Sequence, residues 1–185
     1  ALADNSAFLR RFMTLPFEVP SANFKKTVNE MDGDEGFFES DPEKLATLKP
    51  VLDKGTVTYG GQTHPTDGSA CLIVTTPDKA NELSSNKKIV VNIRGFGMAR
   101  AKNGYMPEAP VPAAERALKL AGLTLDDIDA VKTHNPFAVN DVYFVKQTGY
   151  DRKKMNNYGC SLIYGHPNGP VGIRGVIELI EELTI

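Results

Sequence analysis

Gly159-Cys160-Ser161-Leu162-Ile163-Tyr164-Gly165-His166-Pro167-Asn168-Gly169-Pro170-Val171-Gly172-Ile173-Arg174 is the stretch on which the fold turns. Ser161 to Tyr164 predicts a short strand running into Gly165-His166-Pro167. Val171 to Leu183 predicts a helix that carries Val176, Ile177, Ile180 and Leu183 on one face. Between them, a glycine-rich turn opening a helix offers backbone N–H groups to an anion and lets a substrate come close to the main chain. His166 stands where the strand enters that turn, the place where layered α/β proteins carry reactive groups.

A second strand-end histidine lies upstream, although the chain shows no internal repeat. Ile128 to Lys132 predicts a strand that leads into His134, and Phe137 to Gln147 predicts the helix after it, with Gly149 beyond its end. Pro110 to Ala121 predicts another helix: Pro110 and Pro112 lie at its entry, Ala113, Ala117, Leu118 and Ala121 share a face, and Gly122 follows as a cap residue. Ala70 to Thr75 reads as a buried strand, Lys88 to Phe96 as a β-branched strand, and Thr56 to Tyr59 as a short one. Glu43 to Leu48 and Asp78 to Leu83 predict short helices. Ala1 to Met13 is helix-like until Pro16, and Pro16 to Ser40, rich in Pro, Gly and acids, reads as a long surface segment. Alternating strands and helices make the fold class α/β. Residues 1–54 are expected to be a loop-region tail and linker, and residues 55–185 the domain.

Composition narrows the function. The chain has 185 residues, 41% hydrophobic and 24% charged, enough for a real core. Lys and Arg total 21 against 23 Asp and Glu, a near balance that argues against a broad nucleic-acid-binding face. No apolar run reaches the roughly 18 to 20 residues of a membrane span, and the first residues lack the pattern of a signal peptide. Two cysteines, Cys71 and Cys160, are too few for a disulfide framework, so a reducing, cytoplasmic setting is expected. Three histidines scattered along the chain, with no C-x-x-C or H-x-x-x-H, predict no metal site. Cys71 reads as a small core residue and His64 as an exposed loop residue. Residues 169–175 lack the Lys-Ser/Thr of a phosphate loop and the spacing of a dinucleotide loop.

Residues 159–174 resemble the thiolase signature G-G-A-x-A-x-G-H-P-x-G-A-S-G-x-R. His134-Asn135-Pro136-Phe137-Ala138 stands where thiolases read N-E-A-F-A, or H-E-A-F in relatives. Gly55-Thr56-Val57-Thr58-Tyr59-Gly60-Gly61, Asp67-Gly68-Ser69-Ala70, Leu48-Lys49-Pro50-Val51 and Pro110-Val111-Pro112-Ala113 are similar to G-T-V-T-A-G-N, D-G-A-A, L-K-P-x-F and P-V-P-A. Residues 121–129 are similar to A-G-L-x-x-x-D-I-D. These matches follow one order through nearly the whole chain.

The resemblance implies the C-terminal half of a thiolase, a layered α-β-α domain around a mixed five-stranded sheet, incomplete at its C-terminus. It implies acyl transfer to or from coenzyme A, which enters as substrate, with no other cofactor. Both family cysteines would lie outside these residues, so the N-terminal half or a complementary subunit is the implied partner, in a homo- or hetero-oligomer. His166 would polarise the nucleophilic thiol and help hold the thioester oxygen. His134 would serve an oxyanion hole, as an Asn amide would. Thr63, Asn135, Phe137, Gly165 and Pro167 would line the substrate. Asn135 replaces an acid and Pro136 a small residue, so a subunit of the same fold without catalysis is the alternative.

Overall fold

Capping residues fix the helices. The computed structural model describes residues 10–11, 13–34 and 39–184. Helix α1, Pro42–Ala46, starts where the Asp41 carboxylate accepts from the Glu43 and Lys44 N–H groups. Helix α2, Pro77–Leu83, starts at Thr76, whose hydroxyl accepts from Lys79 N. Helix α3, Pro110–Ala121, has Pro at its entry and stops at Gly122, at φ 70°. Helix α4, Ala138–Thr148, stops the same way at Gly149, at φ 71°. Both glycines take a left-handed conformation that a side chain would resist. Helix α5, Ser161–Tyr164, is a single turn, and α6 runs Val171–Thr184.

The strands depart from expectation. Among the described residues the one sheet has two antiparallel strands, β1 (Phe17–Pro20) and β2 (Thr27–Met31). Both lie in the segment expected to be plain surface. Phe17-Glu18-Val19 alternates in polarity, and across the pair the Thr27 hydroxyl donates to the Glu18 carboxylate at 2.9 Å. Ser161–Tyr164 is helical, not a strand. Its first N–H is taken by the Asn135 side chain at 3.1 Å, while the Tyr164 and Gly165 N–H groups close a turn onto the Cys160 and Ser161 carbonyls.

Residues 56–58, 70–75 and 88–96 carry no ladder pairing, and Ile128–Lys132 contributes one parallel bridge, Val131 to Met155. Ile73, Val74, Val90 and Ile93 are about three-quarters exposed. Cys71, expected in the core, is exposed with them, because nothing among the described residues covers that segment. The helix expected over Ala1–Met13 lies outside the described residues except at Arg10 and Arg11, which are helical.

The core lies between α3, α4 and the Val131 bridge. Phe144, Tyr150 and Met155 are buried there against Val111, Ala114, Leu125, Ile128, Val131 and Val145. The Tyr150 hydroxyl donates to the Ile128 carbonyl at 2.9 Å, so its polar tip is satisfied inside the cluster. Residues 95–98 pass directly against the small face of α3. A Cβ on Gly97 would run into the Ala113 carbonyl oxygen, and one on Gly95 into that of Ala117. Small residues on both sides make this approach possible.

Candidate active site

Three chain segments, distant in sequence, meet at one place. Residues 62–66 run between the turn that carries His134 and the turn that carries His166. On one side Gln62 bridges Phe137, and Thr63 N donates to the Pro136 carbonyl at 2.8 Å. On the other side Pro65 bridges His166, and His166 N donates to the His64 carbonyl at 2.8 Å. The Thr63 hydroxyl donates to the Ser161 carbonyl. The strip therefore links the backbones of both turns.

The two imidazoles that result are neighbours. The ring centroids of His134 and His166 are 4.7 Å apart with planes at 80°, an edge-to-face contact. His166 Nδ1 accepts the Asn168 N–H at 2.9 Å, which leaves the neutral ring its proton on Nε2. Asn168 takes a left-handed φ of 58° and Gly165 one of 78°. Gly165 is also hemmed in: a Cβ there would lie within 3 Å of Thr66 and His64 atoms. Partial burial, with the charges of His166 and Arg174, holds His134 below its ordinary value, which favours the uncharged ring.

A hydrogen-bonded cluster lies behind His134. Asp141, in the first turn of α4, accepts from the Thr133 hydroxyl at 2.5 Å, from Asn135 Nδ2 at 2.5 Å and from Asn156 Nδ2 at 3.2 Å. Asn156 also accepts the Thr133 N–H at 3.0 Å through its Oδ1. Asn135 is 1% exposed. Its Oδ1 accepts from Ser161 N, so both ends of its amide are used inside the protein.

An ion triad lies on the α6 side. Glu178, buried, meets Lys132 at 2.7 Å and Arg174 at 3.2 Å. Lys132 also donates to the Gly159 carbonyl, and Arg174 lies over the Tyr164 ring at 5.2 Å. Burial raises the Glu178 proton affinity against the opposing pull of Lys132 and Arg174. Burial, and then the Glu178 charge, push the Tyr164 phenol well up. A cavity of about 180 Å³ opens between His134, Ser161, Cys160, Arg174, Glu178 and the first turns of α6.

Of the residues singled out in sequence, His134, His166, Thr63, Gly165 and Phe137 come together here. Pro167, half-buried, sits next to His166 and close to Gly68. His64, expected in solvent, is half-buried, and its backbone belongs to the strip. Asp141, Asn156, Lys132 and Glu178 were not singled out. Glu178 lies on the opposite side of α6 from Val176, Ile177 and Ile180, beside Arg174 and Glu182, so in sequence it reads as a solvent-facing acid. Asp141 reads as an ordinary first-turn acid, and its partners come from far along the chain. No group of three or more His, Cys, Asp or Glu side chains fit for a metal occurs among the described residues.

Residues 87–185 match the family model for the C-terminal domain of thiolase. The 3-ketoacyl-CoA thiolase of Idiomarina loihiensis is 38% identical over 152 residues, 78% of this chain and 39% of that protein. The acetyl-CoA acetyltransferase of Escherichia coli is 34% identical over 145 residues, 78% of this chain and 36% of that protein. The crystal structure of the Bacillus anthracis acetyl-CoA acetyltransferase superposes with a TM-score of 0.83 at 30% identity, over 97% of this chain and 44% of that one. The human mitochondrial 3-ketoacyl-CoA thiolase in complex with CoA gives 0.67 at 27% identity, over 83% and 39%. The chain thus spans about two fifths of the length of the curated relatives it matches. A signature turn around His166, a second histidine against it, and these likenesses agree: the chain belongs to the thiolase family.

Proposed function

We propose that residues 55–185 form the C-terminal half of an acyl-CoA acyltransferase, with residues 1–54 as its loop-region tail. The enzyme cleaves a 3-oxoacyl-CoA with CoA, or condenses two acyl-CoAs, through an acyl-cysteine supplied by another segment or chain. In the cleavage direction the cysteine sulfur bonds to the 3-oxo carbon, and the bond between C2 and C3 breaks. The departing C2 takes a proton as acyl-CoA leaves, and a second CoA thiol then removes the acyl group. The apposition of His134 and His166 at 4.7 Å carries this proposal. His166, with Nδ1 occupied by Asn168, has its Nε2–H to donate to a thiolate or thioester oxygen. His134, held toward its neutral form, has one N–H to offer developing oxyanion charge. Thr63, Phe137, Gly165 and Pro167 shape the approach.

The proposal extends to the assembly. The uncovered apolar segments 72–74 and 90–93 are where the mixed five-stranded sheet would form, once a complementary half covers them. A homo- or hetero-oligomer in the cytoplasm is the proposed setting. Among the described residues no helix is long and apolar enough to cross a membrane.

The test is cleavage of 3-oxoacyl-CoA by the competent assembly, with His166→Ala compared to the parent. A loss of about 10²- to 10³-fold in kcat is expected, the scale of a removed oxyanion donor. Full activity in the variant overturns the assignment of His166. A non-catalytic subunit of the same fold is the second reading, favoured by Asn135: an amide fully used inside the protein stands where the family motif has an acid. An assembly that binds CoA without turnover would establish it.

A further inference from the structure

We propose that Asp141 is the positioning residue that sets the distance between the two histidines, by orienting the Asn135 amide onto Ser161 N. The proposal deepens the acyl-transfer assignment and takes its catalytic meaning from it.

An amide side chain can face either way. Asn135 is fully buried, so the choice is made by its neighbours. Ser161 N needs an acceptor, because it is a first-turn N–H of α5 with no partner within the helix. Asn135 Oδ1 supplies it at 3.1 Å. That orientation turns Nδ2 inward, where a neutral acceptor would suffice but a carboxylate is found at 2.5 Å. Asp141 also collects the Thr133 hydroxyl and Asn156 Nδ2, and the Thr133 N–H returns to Asn156 Oδ1. The residue before His134 and the residue after it are therefore both tied to one carboxylate. Through Asn135 the same carboxylate reaches α5, which leads directly into Gly165 and His166.

The aligned motif carries its acid where Asn135 stands. Here the acid is six residues along, in the first turn of α4, and the amide takes its place beside Ser161. The contact needs one acceptor facing Ser161 N and one donor–acceptor pair between positions 135 and 141. Either arrangement of acid and amide satisfies this, and Asn156 Nδ2, which gives up its 3.2 Å bond to Asp141 in the exchange, keeps the Thr133 hydroxyl as acceptor at 2.8 Å. The exchange is therefore the decisive experiment.

Asn135→Asp alone sets two carboxylates against each other. Asp141→Asn alone can place one N–H group against another. The double variant Asn135→Asp/Asp141→Asn restores a donor opposite an acceptor and keeps an acceptor on Ser161 N. The readout is the nuclear Overhauser contact between the His134 and His166 ring protons in the full chain, which needs no catalysis. It should fall at least about threefold in each folded single variant and return in the double. In the competent assembly, kcat should fall about tenfold to a hundredfold in the single variants with KM little changed, and recover in the double. Should the single variants fail to fold, a folded double variant with the ring contact carries the same meaning. Single variants that keep the full ring contact overturn the proposal. A double variant, folded or not, that fails to restore the contact also overturns it. A competent assembly that is inactive while the ring contact follows this pattern counts against the acyl-transfer function and leaves the positioning role standing.

Discussion

Residues 125–184 and residues 70–98 have similar apolar content and very different fates. The first region builds its turns from side chain–backbone bonds: Asn135 on Ser161 N, Tyr150 on the Ile128 carbonyl, Asn156 on Thr133 N. It closes around Phe144, Tyr150 and Met155. The second region is β-branched and leaves Ile73, Val74, Val90 and Ile93 largely exposed. Turns can be satisfied by neighbours within the same chain, whereas strands of this composition need cover on both faces. The site is therefore set by polar chemistry that does not wait for the sheet.

Breaking the polar side of that contrast should cost most. Glu178→Ala leaves Lys132 and Arg174 without their common partner, and the Lys132 side chain is 5% exposed. A loss of about 3–5 kcal/mol in unfolding free energy is expected from a denaturant titration. A loss under about 1 kcal/mol would mean that the triad contributes little to holding α6. Gly122→Ala, at a left-handed position with open space around it, should cost about 1 kcal/mol. The exposed side should respond differently. Val90→Thr with Ile93→Thr should change stability by no more than about 0.5 kcal/mol, yet lower self-association in light scattering. An equal loss of stability in both regions would erase the contrast.

The smallest effect is electrostatic. The His134 ring should titrate below the ordinary imidazole value of 6.5, followed by its ring-proton shifts. The folded pKa is lowered relative to the unfolded one. The associated stability is therefore present above about 6.5 and is lost as pH falls through the lower folded value. Arg174→Gln should move the midpoint upward, because Arg174 is one of the charges that depress it. A midpoint at or above 6.5 in the parent would contradict the lowering assigned to that ring.

The helices were legible because their ends are marked locally. Pro110 and Gly122 bracket α3, and Gly149 stops α4. His134 and His166 were legible as a pair through the motifs around them. The single turn Ser161–Tyr164 was not, because Leu162-Ile163-Tyr164 has strand composition and the bond that favours a helix comes from Asn135, 26 residues away. The hairpin β1–β2 was hidden by the Pro and Gly around it and by the Asn29-Glu30 pair, which breaks the alternation of β2. Asp141 was hidden for a different reason. Its three donors sit at residues 133, 135 and 156, and nothing in its own surroundings in the chain distinguishes it from a solvent-facing acid.

The strip of residues 62–66 acts as a shim. It pairs with Pro136 along one edge and His166 along the other, so it ties the backbones of the two histidine turns together. A one-residue insertion at Thr63 would disturb both edges together. Evolution or design could alter side chains on either turn separately, but any change in loop length here would retune both histidines at once.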